Sequence, residues 1–221
     1  MADANTIRVF IVDDHPIVRE GLAQLINQEE DLTVCGDAGD AATAISALGA
    51  CAPDIAIVDI SLGDVSGLQL VKDITSKYKK MAVLVLSMHD DRVYAERALR
   101  AGAKGYIMKQ EATQKVVSAI RKIVSGGVYL SDESAARMMH SFVGGEEAGG
   151  ALPEDVLSDR ELEVFQLIGQ GFKSREISSK LNLSVKTIET YREHIKDKLS
   201  LEDATELVRY AIQWVHARPT K

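Results

Sequence analysis

Short apolar runs alternate with amphipathic stretches through the first half of the chain. Five runs are rich in Val, Ile and Leu, which is typical of parallel strands buried on both faces. Each is followed by a stretch with helical apolar spacing, and this alternation predicts a doubly wound, five-stranded parallel α/β sheet. The predicted strands are Ile7–Val12, Leu32–Cys35, Ile55–Asp59, Ala82–Ser87 and Gly105–Met108, and the helices lie near Pro16–Asn27, Ala41–Leu48, Gly67–Tyr78, Arg92–Ala101 and Thr113–Ser125.

The pattern changes after residue 127. A short helix is predicted over Asp132–Phe142, and the glycine-rich run 144–150 is interpreted as a flexible linker. From residue 153 only helical patterns follow, with a capping box at Ser158 and a good N-cap at Ser184. Two short helices joined by a tight turn indicate a helix-turn-helix. We therefore predict an α/β domain over 1–127, a linker over 128–152 and an all-α, four-helix domain over 153–221.

Charge and composition narrow the function classes. The 221-residue chain has a formal net charge of -7, and residues 152–221 hold 11 Lys and Arg against 12 Asp and Glu, so the helical domain lacks the basic excess common in nucleic-acid binders. No apolar run approaches the roughly 20 residues of a membrane span, and no export signal is recognisable. We expect a cytoplasmic protein without a membrane partner. Cys35 and Cys51 match no metal spacing and are interpreted as reduced apolar residues.

Carboxylates stand at the carboxyl ends of two predicted strands. Asp13 and Asp14 follow the first strand, and Asp59 ends the third. In an open parallel sheet these ends meet at one edge, where ligands bind. Three carboxylates at one place repel one another and need a cation, and Mg²⁺ suits hard oxygen ligands at a solvated edge. The sequence predicts a Mg²⁺ (or Mn²⁺) site held by Asp13 and Asp14.

Two more polar residues stand at strand ends. Ser87 ends the fourth strand with a hydroxyl, and Lys109 follows the fifth with a compact positive charge. Such a set can bind a phosphoryl group, with Asp59 on the central strand as the nucleophile. Any single Asp at a strand end is as well explained as a solvated turn residue, but agreement at five positions favours a site.

These residues carry a family resemblance over roughly residues 5–127. The chain resembles the receiver domain of two-component response regulators, which implies a flavodoxin-like sheet and implies that Asp59 accepts a phosphoryl group from a sensor histidine kinase. It also implies that Asp59 and Ser61 join the metal ligands, and that Ser87 and Tyr106 switch conformation. A rival reading, an aspartyl-phosphate hydrolase, requires a second Asp where Ser61 stands. The matching residues, in order, are Asp13, Asp14, Asp59, Ser87, Tyr106 and Lys109, with Gly67 after the acceptor loop.

The predicted helix over 185–199 has the spacing of a recognition helix. With Ile188, Ile195 and Leu199 inward, steps of about 100° place Lys186, Thr190, Glu193 and Asp197 outward. A glutamate can accept a hydrogen bond from cytosine N4, and a threonine can contact a thymine methyl. A helical bundle with a merely solvated face fits this mixed charge equally well. The cations that could reach phosphates are Lys173, Arg175, Lys186 and Lys196.

A second resemblance covers roughly residues 153–218. The segments Ser158–Glu161, Glu176–Ile177 and Leu183–Tyr191 resemble the LuxR-type domain, and the tandem order resembles the NarL/FixJ class of response regulators. This implies binding of double-stranded DNA at a two-fold operator by a homodimer that forms on activation. The resemblance places Glu189, Thr190 and Glu193 at base-facing positions and includes Thr187 among the DNA-binding residues. It also suggests that subunits pair through Leu207, Val208 and Ala211.

The sequence therefore predicts a phosphorylation-dependent transcriptional regulator. No enzymatic activity is expected beyond Mg²⁺-dependent self-phosphorylation and self-dephosphorylation at Asp59. Phosphorylation would change dimerisation or release the recognition helix from the receiver, and the sequence leaves both routes open. The alternative is a phosphorylation-independent regulator that acts through protein–protein contacts, which the mixed charge of the recognition helix keeps open.

Overall fold

The computed structural model describes residues 6–62, 65–88, 91–144 and 153–217. The chain forms two compact units, Met1–Gly145 and Glu146–Lys221. Most of the predicted glycine-rich linker, from residue 145 to 150, lies outside the described residues.

The first unit contains the predicted five-stranded parallel sheet. Its strands are β1 (Ile7–Val12), β2 (Leu32–Ala38), β3 (Ile55–Asp59), β6 (Ala82–Ser87) and β7 (Gly105–Met108). The strand order is β2-β1-β3-β6-β7, and every neighbouring pair is parallel. Because β3 lies at the centre of the sheet, Asp59 sits in the middle of its carboxyl edge. The fold predicted from the alternating pattern is confirmed.

Helices cover both faces of this sheet. The helices α1 (Pro16–Asn27) and α5 (Ala112–Val124) bury Leu22, Ile26 and Ile120 in one apolar cluster with β1, β3 and β6. The helices α2 (Ala41–Cys51), α3 (Gly67–Lys77) and α4 (Asp91–Arg100) complete the unit, and α2 and α3 contact the sheet strands β1, β2, β3 and β6. Burying both faces explains why the strands read as continuous apolar runs.

Two local features were not predicted. The strand β2 continues to Ala38 through an irregular register, in which Phe10 pairs with Gly36 rather than with Cys35. A two-stranded antiparallel hairpin, β4 (Ser61–Leu62) and β5 (Val65–Ser66), follows β3. Strands of two residues are too short to show an alternating pattern, so only the structure reveals this hairpin.

Residues 128–144 are attached to the first unit, although the sequence assigned them to a linker. The Tyr129 backbone donates to Lys104 O and accepts from Tyr106 N–H, both at 2.9 Å, and so lengthens the sheet beyond β7. The helix α6 (Asp132–Gly144) packs against α4, and the Ser131 hydroxyl donates to the Asp91 carboxylate.

The second unit is all helical, as predicted. A one-turn helix α7 (Pro153–Val156) precedes α8 (Asp159–Gly169), α9 (Ser174–Leu181), α10 (Val185–Leu199) and α11 (Ala204–His216). The capping box at Ser158 and the N-cap at Ser184 are confirmed. Asn182 ends α9 with a φ of 52°, a left-handed conformation that turns the chain tightly into α10. Ile177, Ile188 and Ile195 are buried between these helices.

Candidate functional site

The carboxyl edge of the sheet brings together the charged residues singled out in the sequence. Val12 pairs with Val58, and Asp59 pairs with Leu86, so the ends of β1, β3 and β6 lie side by side. The Lys109 Nζ is 2.6 Å from Asp13 Oδ2 and 2.7 Å from Asp59 Oδ2. One buried ammonium therefore joins two buried carboxylates that are far apart in the sequence.

Two more side chains complete an acidic cluster at this edge. The His15 Nδ1 lies 2.6 Å from Asp14 Oδ1, and the His15 backbone N–H donates to Asp13 Oδ1 at 2.9 Å. Ligand atoms of Asp13, Asp14, His15 and Asp59 all lie within 4.8 Å of one another. His15 was not predicted from the sequence, although its position directly after two acids was a usable signal.

Negative charge exceeds positive charge in this cluster. Burial raises the pKa of Asp59 to about 6, Lys109 opposes the rise and the Asp13 carboxylate adds to it. Burial by itself lowers the pKa of Lys109, but the carboxylates of Asp59 and Asp13 outweigh burial and hold that pKa above its usual value. A single ammonium shared by two carboxylates cannot neutralise both, so this edge of the sheet retains negative charge.

The donor set fits a small hard cation. The Asp59 Oδ1 is buried and accepts no hydrogen bond from the described residues, and such an atom favours a ligand that restores its lost hydration. Clustered carboxylate oxygens beside solvent are typical of Mg²⁺ sites, where the ion keeps several waters. Asp13, Asp14 and Asp59 therefore form an acidic cluster of the kind that binds Mg²⁺.

The other residues named for this site lie around the cluster. Ser87 is fully buried at the end of β6, and Ser61 is half-buried at the start of β4. Tyr106 is buried within β7, two strands from Asp59. Gly67 closes the loop that follows Asp59, because its backbone N–H donates to Ile60 O at 2.7 Å. These positions agree with the predicted arrangement, while the roles of these residues remain predictions.

We expect Asp59→Asn to stabilise the first unit at neutral pH. The folded-state pKa of Asp59, about 6, lies above its ordinary value of 3.8, so the charged carboxylate lowers the free energy of unfolding. This destabilisation is fully present above about pH 6 and disappears as the pH falls towards 3.8. Removing the charge should raise the free energy of unfolding by about 3 kcal/mol at about pH 7.5, and by roughly half as much at about pH 5.

Urea denaturation of the metal-free protein at the two pH values measures this effect. Asp73→Asn is the control, because this exposed carboxylate on α3 contacts only the Gln69 amide among the described residues. A variant at position 59 that is no more stable than the wild type at neutral pH would contradict the electrostatic account of the site.

The second unit presents a separate surface on α10. Lys186, Thr190 and Glu193 are exposed, as the helical spacing predicted, and Glu189 is exposed as well. Thr187 is half-buried with its Oγ1 2.8 Å from Ser184 Oγ. Lys173 and Arg175 are exposed at the start of α9. Lys196 is not free, because its Nζ lies 2.8 Å from Glu193 Oε2. The surface is mixed in charge, and its cations and acids alternate along the helix.

The proposed subunit contact on α11 needs correction. Leu207 and Ala211 have no exposed surface, and α11 packs so closely on α8 that a Cβ at Gly169 would lie 2.3 Å from Ala211 O. Both residues therefore belong to the core of their own unit and cannot contact a partner. Val208, the third residue expected at this contact, is half-buried, and Ile212, which was not expected there, is 36% exposed, so these two apolar residues lie on the outer side of α11.

Family models match both units. Residues 9–121 match the response regulator receiver domain, and residues 155–211 match the luxR family of bacterial regulatory proteins. The oxygen regulatory protein NreC of Staphylococcus carnosus is 36% identical over 212 residues, with 94% of this chain and 97% of that protein covered. NreC of Staphylococcus aureus strain MRSA252 is 35% identical with the same coverage.

Solved structures give the same result. The RcsB response regulator of Salmonella typhimurium has a TM-score of 0.63 at 28% identity, covering 95% of this chain and 98% of that chain. RcsB bound to promoter rprA in the presence of the phosphomimetic BeF3- has a TM-score of 0.60 at 29% identity, covering 94% and 99%. A LuxR-family two-component response regulator from Aurantimonas sp. SI85-9A1 has a TM-score of 0.58 at 33% identity, covering 62% and 99%.

Within the described residues, none of the helices combines the length and the apolar character that crossing a membrane requires. The receiver match, the luxR match and full-length relatives above 30% identity agree with the acidic edge of the first unit and the helix-turn-helix of the second. The chain belongs to the NarL-class response regulators, in which a receiver domain precedes a LuxR-type helix-turn-helix domain.

Proposed function

We propose that the protein is a transcriptional regulator switched by phosphorylation of Asp59 by a sensor histidine kinase. The observation that carries this proposal is the contact of the Lys109 ammonium with both Asp59 and Asp13 at the carboxyl edge of the sheet. A carboxylate beside a fixed cation is positioned both to attack a phosphoryl group and to keep the product charge balanced.

In the transfer, a carboxylate oxygen of Asp59 forms a bond to phosphorus. The phosphorus–nitrogen bond of the kinase's phosphohistidine breaks, and the released imidazole nitrogen takes up a proton from solvent. Lys109 neutralises part of the charge on the phosphoryl oxygens. Asp13, Asp14, Asp59 and Ser61 would hold Mg²⁺ or Mn²⁺, which supplies further positive charge when bound. Attack by water on the acyl phosphate reverses the modification, and no other catalytic activity is proposed.

Phosphorylation adds negative charge and three acceptor oxygens at Asp59. Ser87, fully buried at the end of the adjacent strand β6, has a hydroxyl that can donate to those oxygens. Movement of Ser87 would free space that buried Tyr106 on β7 can occupy, and this would change the surface formed by α4 and β7. This is the role that we propose for both residues as the switch.

The second unit would bind double-stranded DNA through α9 and α10. Lys173, Arg175 and Lys186 are exposed and would contact phosphates. Thr187, Glu189, Thr190, Glu193 and Lys196 would lie in the major groove or at its border. A homodimer would place two such helices on a two-fold operator, and we now propose Val208 and Ile212 as the α11 residues at the subunit contact. The DNA-bound RcsB structure and the structure of two RcsB dimers bound to two parallel DNAs support this arrangement.

The test compares the full chain with two variants, Asp59→Asn and the control Asp73→Asn. Each is treated with acetyl phosphate and Mg²⁺, and the phosphorylated fraction is measured on phosphate-affinity gels. Binding is then measured by fluorescence anisotropy on an operator duplex enriched from a random pool by the phosphorylated protein. We expect phosphorylation to lower the apparent Kd at least about fivefold in the wild type and the control, which is the range of typical allosteric coupling.

Asp59→Asn should show neither phosphorylation nor stimulation. Equal stimulation of the wild type and Asp59→Asn would overturn the proposal. Tight binding that acetyl phosphate leaves unchanged in the wild type would instead favour the alternative, a regulator that does not depend on phosphorylation.

A further inference from the structure

Two cations of the recognition helix α10 form ion pairs with acidic residues of the same helix. The Lys196 Nζ lies 2.8 Å from Glu193 Oε2, and the Arg192 Nε lies 3.7 Å from Glu189 Oε2. Both pairs have i, i+3 spacing, so each acid and its cation lie on adjacent turns of one face. A third cation, Lys198, is 2.6 Å from Glu161 of α8. Of the four cations on α10, Lys186 is the one for which the described residues provide no ion pair.

The side chains of the paired cations are less exposed to solvent than those of their acidic partners. The side chains of Arg192 and Lys196 are 15% and 18% exposed, whereas those of Glu189 and Glu193 are 53% and 64% exposed. The two cations and their two glutamate partners line a cleft of about 390 Å³ between α10, the α8–α9 turn and the start of α11, and Lys173 lines it too. A phosphate that approaches either cation therefore meets a more exposed carboxylate beside it, and it must compete with that carboxylate for the positive charge.

We propose that Glu189 and Glu193 are positioning residues that hold Arg192 and Lys196 away from the DNA backbone and so lower sequence-independent binding. This rests on the proposed DNA-binding function and refines it: the two glutamates restrain cations and do not read bases. A single unit then attracts DNA weakly. Two units held together on a two-fold site gain enough effective concentration to break these ion pairs.

The salt dependence of binding provides a direct measurement. Each cation that gains a phosphate contact releases counterions, which steepens the slope of log K against log salt by about 0.9. A cation already paired with a glutamate has little counterion to release. Glu193→Gln and Glu189→Gln preserve side-chain length and remove the acidic partner, so the released Lys196 or Arg192 should contribute to that slope.

The experiment uses the full chain and a labelled 20-base-pair duplex of arbitrary sequence, titrated between about 50 and 200 mM NaCl. We expect each glutamine variant to bind about three- to tenfold more tightly than the wild type at the lower salt, with a slope steeper by about one. Asp197→Asn is the matched control, because Asp197 is an exposed acid on the same helix that forms no ion pair within the described part of the chain, so the same loss of charge releases none of those cations. It should bind less than about twofold more tightly, with an unchanged slope.

Three results would overturn the inference. Equal gains in DNA affinity in Asp197→Asn and in the glutamine variants would show that the effect comes from the change in net charge alone. Weaker DNA binding by the glutamine variants would assign the two acids to base contacts. If the slope of log K against log salt were the same in all variants as in the wild type, no cation would have been released. Absence of DNA binding by every variant and by the phosphorylated wild type is a different outcome, which contradicts the proposed function itself.

Discussion

Gly67→Ala should destabilise the receiver unit by about 3 kcal/mol or more. A Cβ at this position would lie 1.8 Å from Asp59 O and 2.8 Å from Ile60 Cα, which are both backbone atoms. Backbone atoms cannot rotate aside as a flexible side chain can, so the start of α3 must move away from the end of β3. That movement would also break the hydrogen bond from Gly67 N–H to Ile60 O.

Urea denaturation measures the stability of Gly67→Ala, and acetyl phosphate labelling measures the phosphorylated fraction, which should fall in parallel. Gly21→Ala is the matched control, because this glycine lies within helix α1 and its added Cβ would meet nothing within 4 Å. The control should gain about 0.5 to 1 kcal/mol from improved helix propensity. A Gly67→Ala protein as stable as the wild type would show that the loop accommodates the methyl group and that the close approach is unimportant.

The fold of the receiver unit was predictable because its signal is local and repeated. Each strand is an apolar run, and each helix has apolar residues at helical spacing. Because parallel strands end at one edge of the sheet, residues at the ends of separate strands could be assigned to one site. This is why Asp13, Asp59 and Lys109 could be expected to meet, although up to about 96 residues separate them in the sequence. The structure confirmed that they do.

The features that escaped prediction depend on packing between elements. On α11 apolar residues occur around much of the helix, so the sequence does not distinguish Leu207 and Ala211, which pack against α8, from Val208 and Ile212 on the outer side. The short strands of the β4–β5 hairpin have no period to detect. By contrast, the ion pairs of α10 were detectable, because the spacing of Glu193 and Lys196 is visible in the sequence.

Lys109→Met should destabilise the receiver unit by about 3 kcal/mol at about pH 7.5 in metal-free buffer, because removal of one partner from a buried ion pair leaves charge without compensation. Methionine fills a similar volume, so the loss is chiefly electrostatic. The Asp13 and Asp59 carboxylates, both about 2.6 to 2.7 Å from the lost Nζ, would face each other unscreened. Part of the loss should disappear as the pH falls, since a protonated carboxyl group no longer repels its neighbour.

A second change separates this charge effect from a packing defect. In the double variant Asp59→Asn, Lys109→Met only one carboxylate of the pair remains, so the double variant should recover at least about half of the stability lost by Lys109→Met. Lys115→Met is the control, because Lys115 forms an ion pair of similar length, 2.6 Å to Glu111, on the exposed side of α5. Exposed pairs contribute little, and the control should change stability by less than about 0.5 kcal/mol. Equal losses in Lys109→Met and the double variant would mean that the lysine supports the site by packing, and the electrostatic basis of the acceptor site would then be wrong.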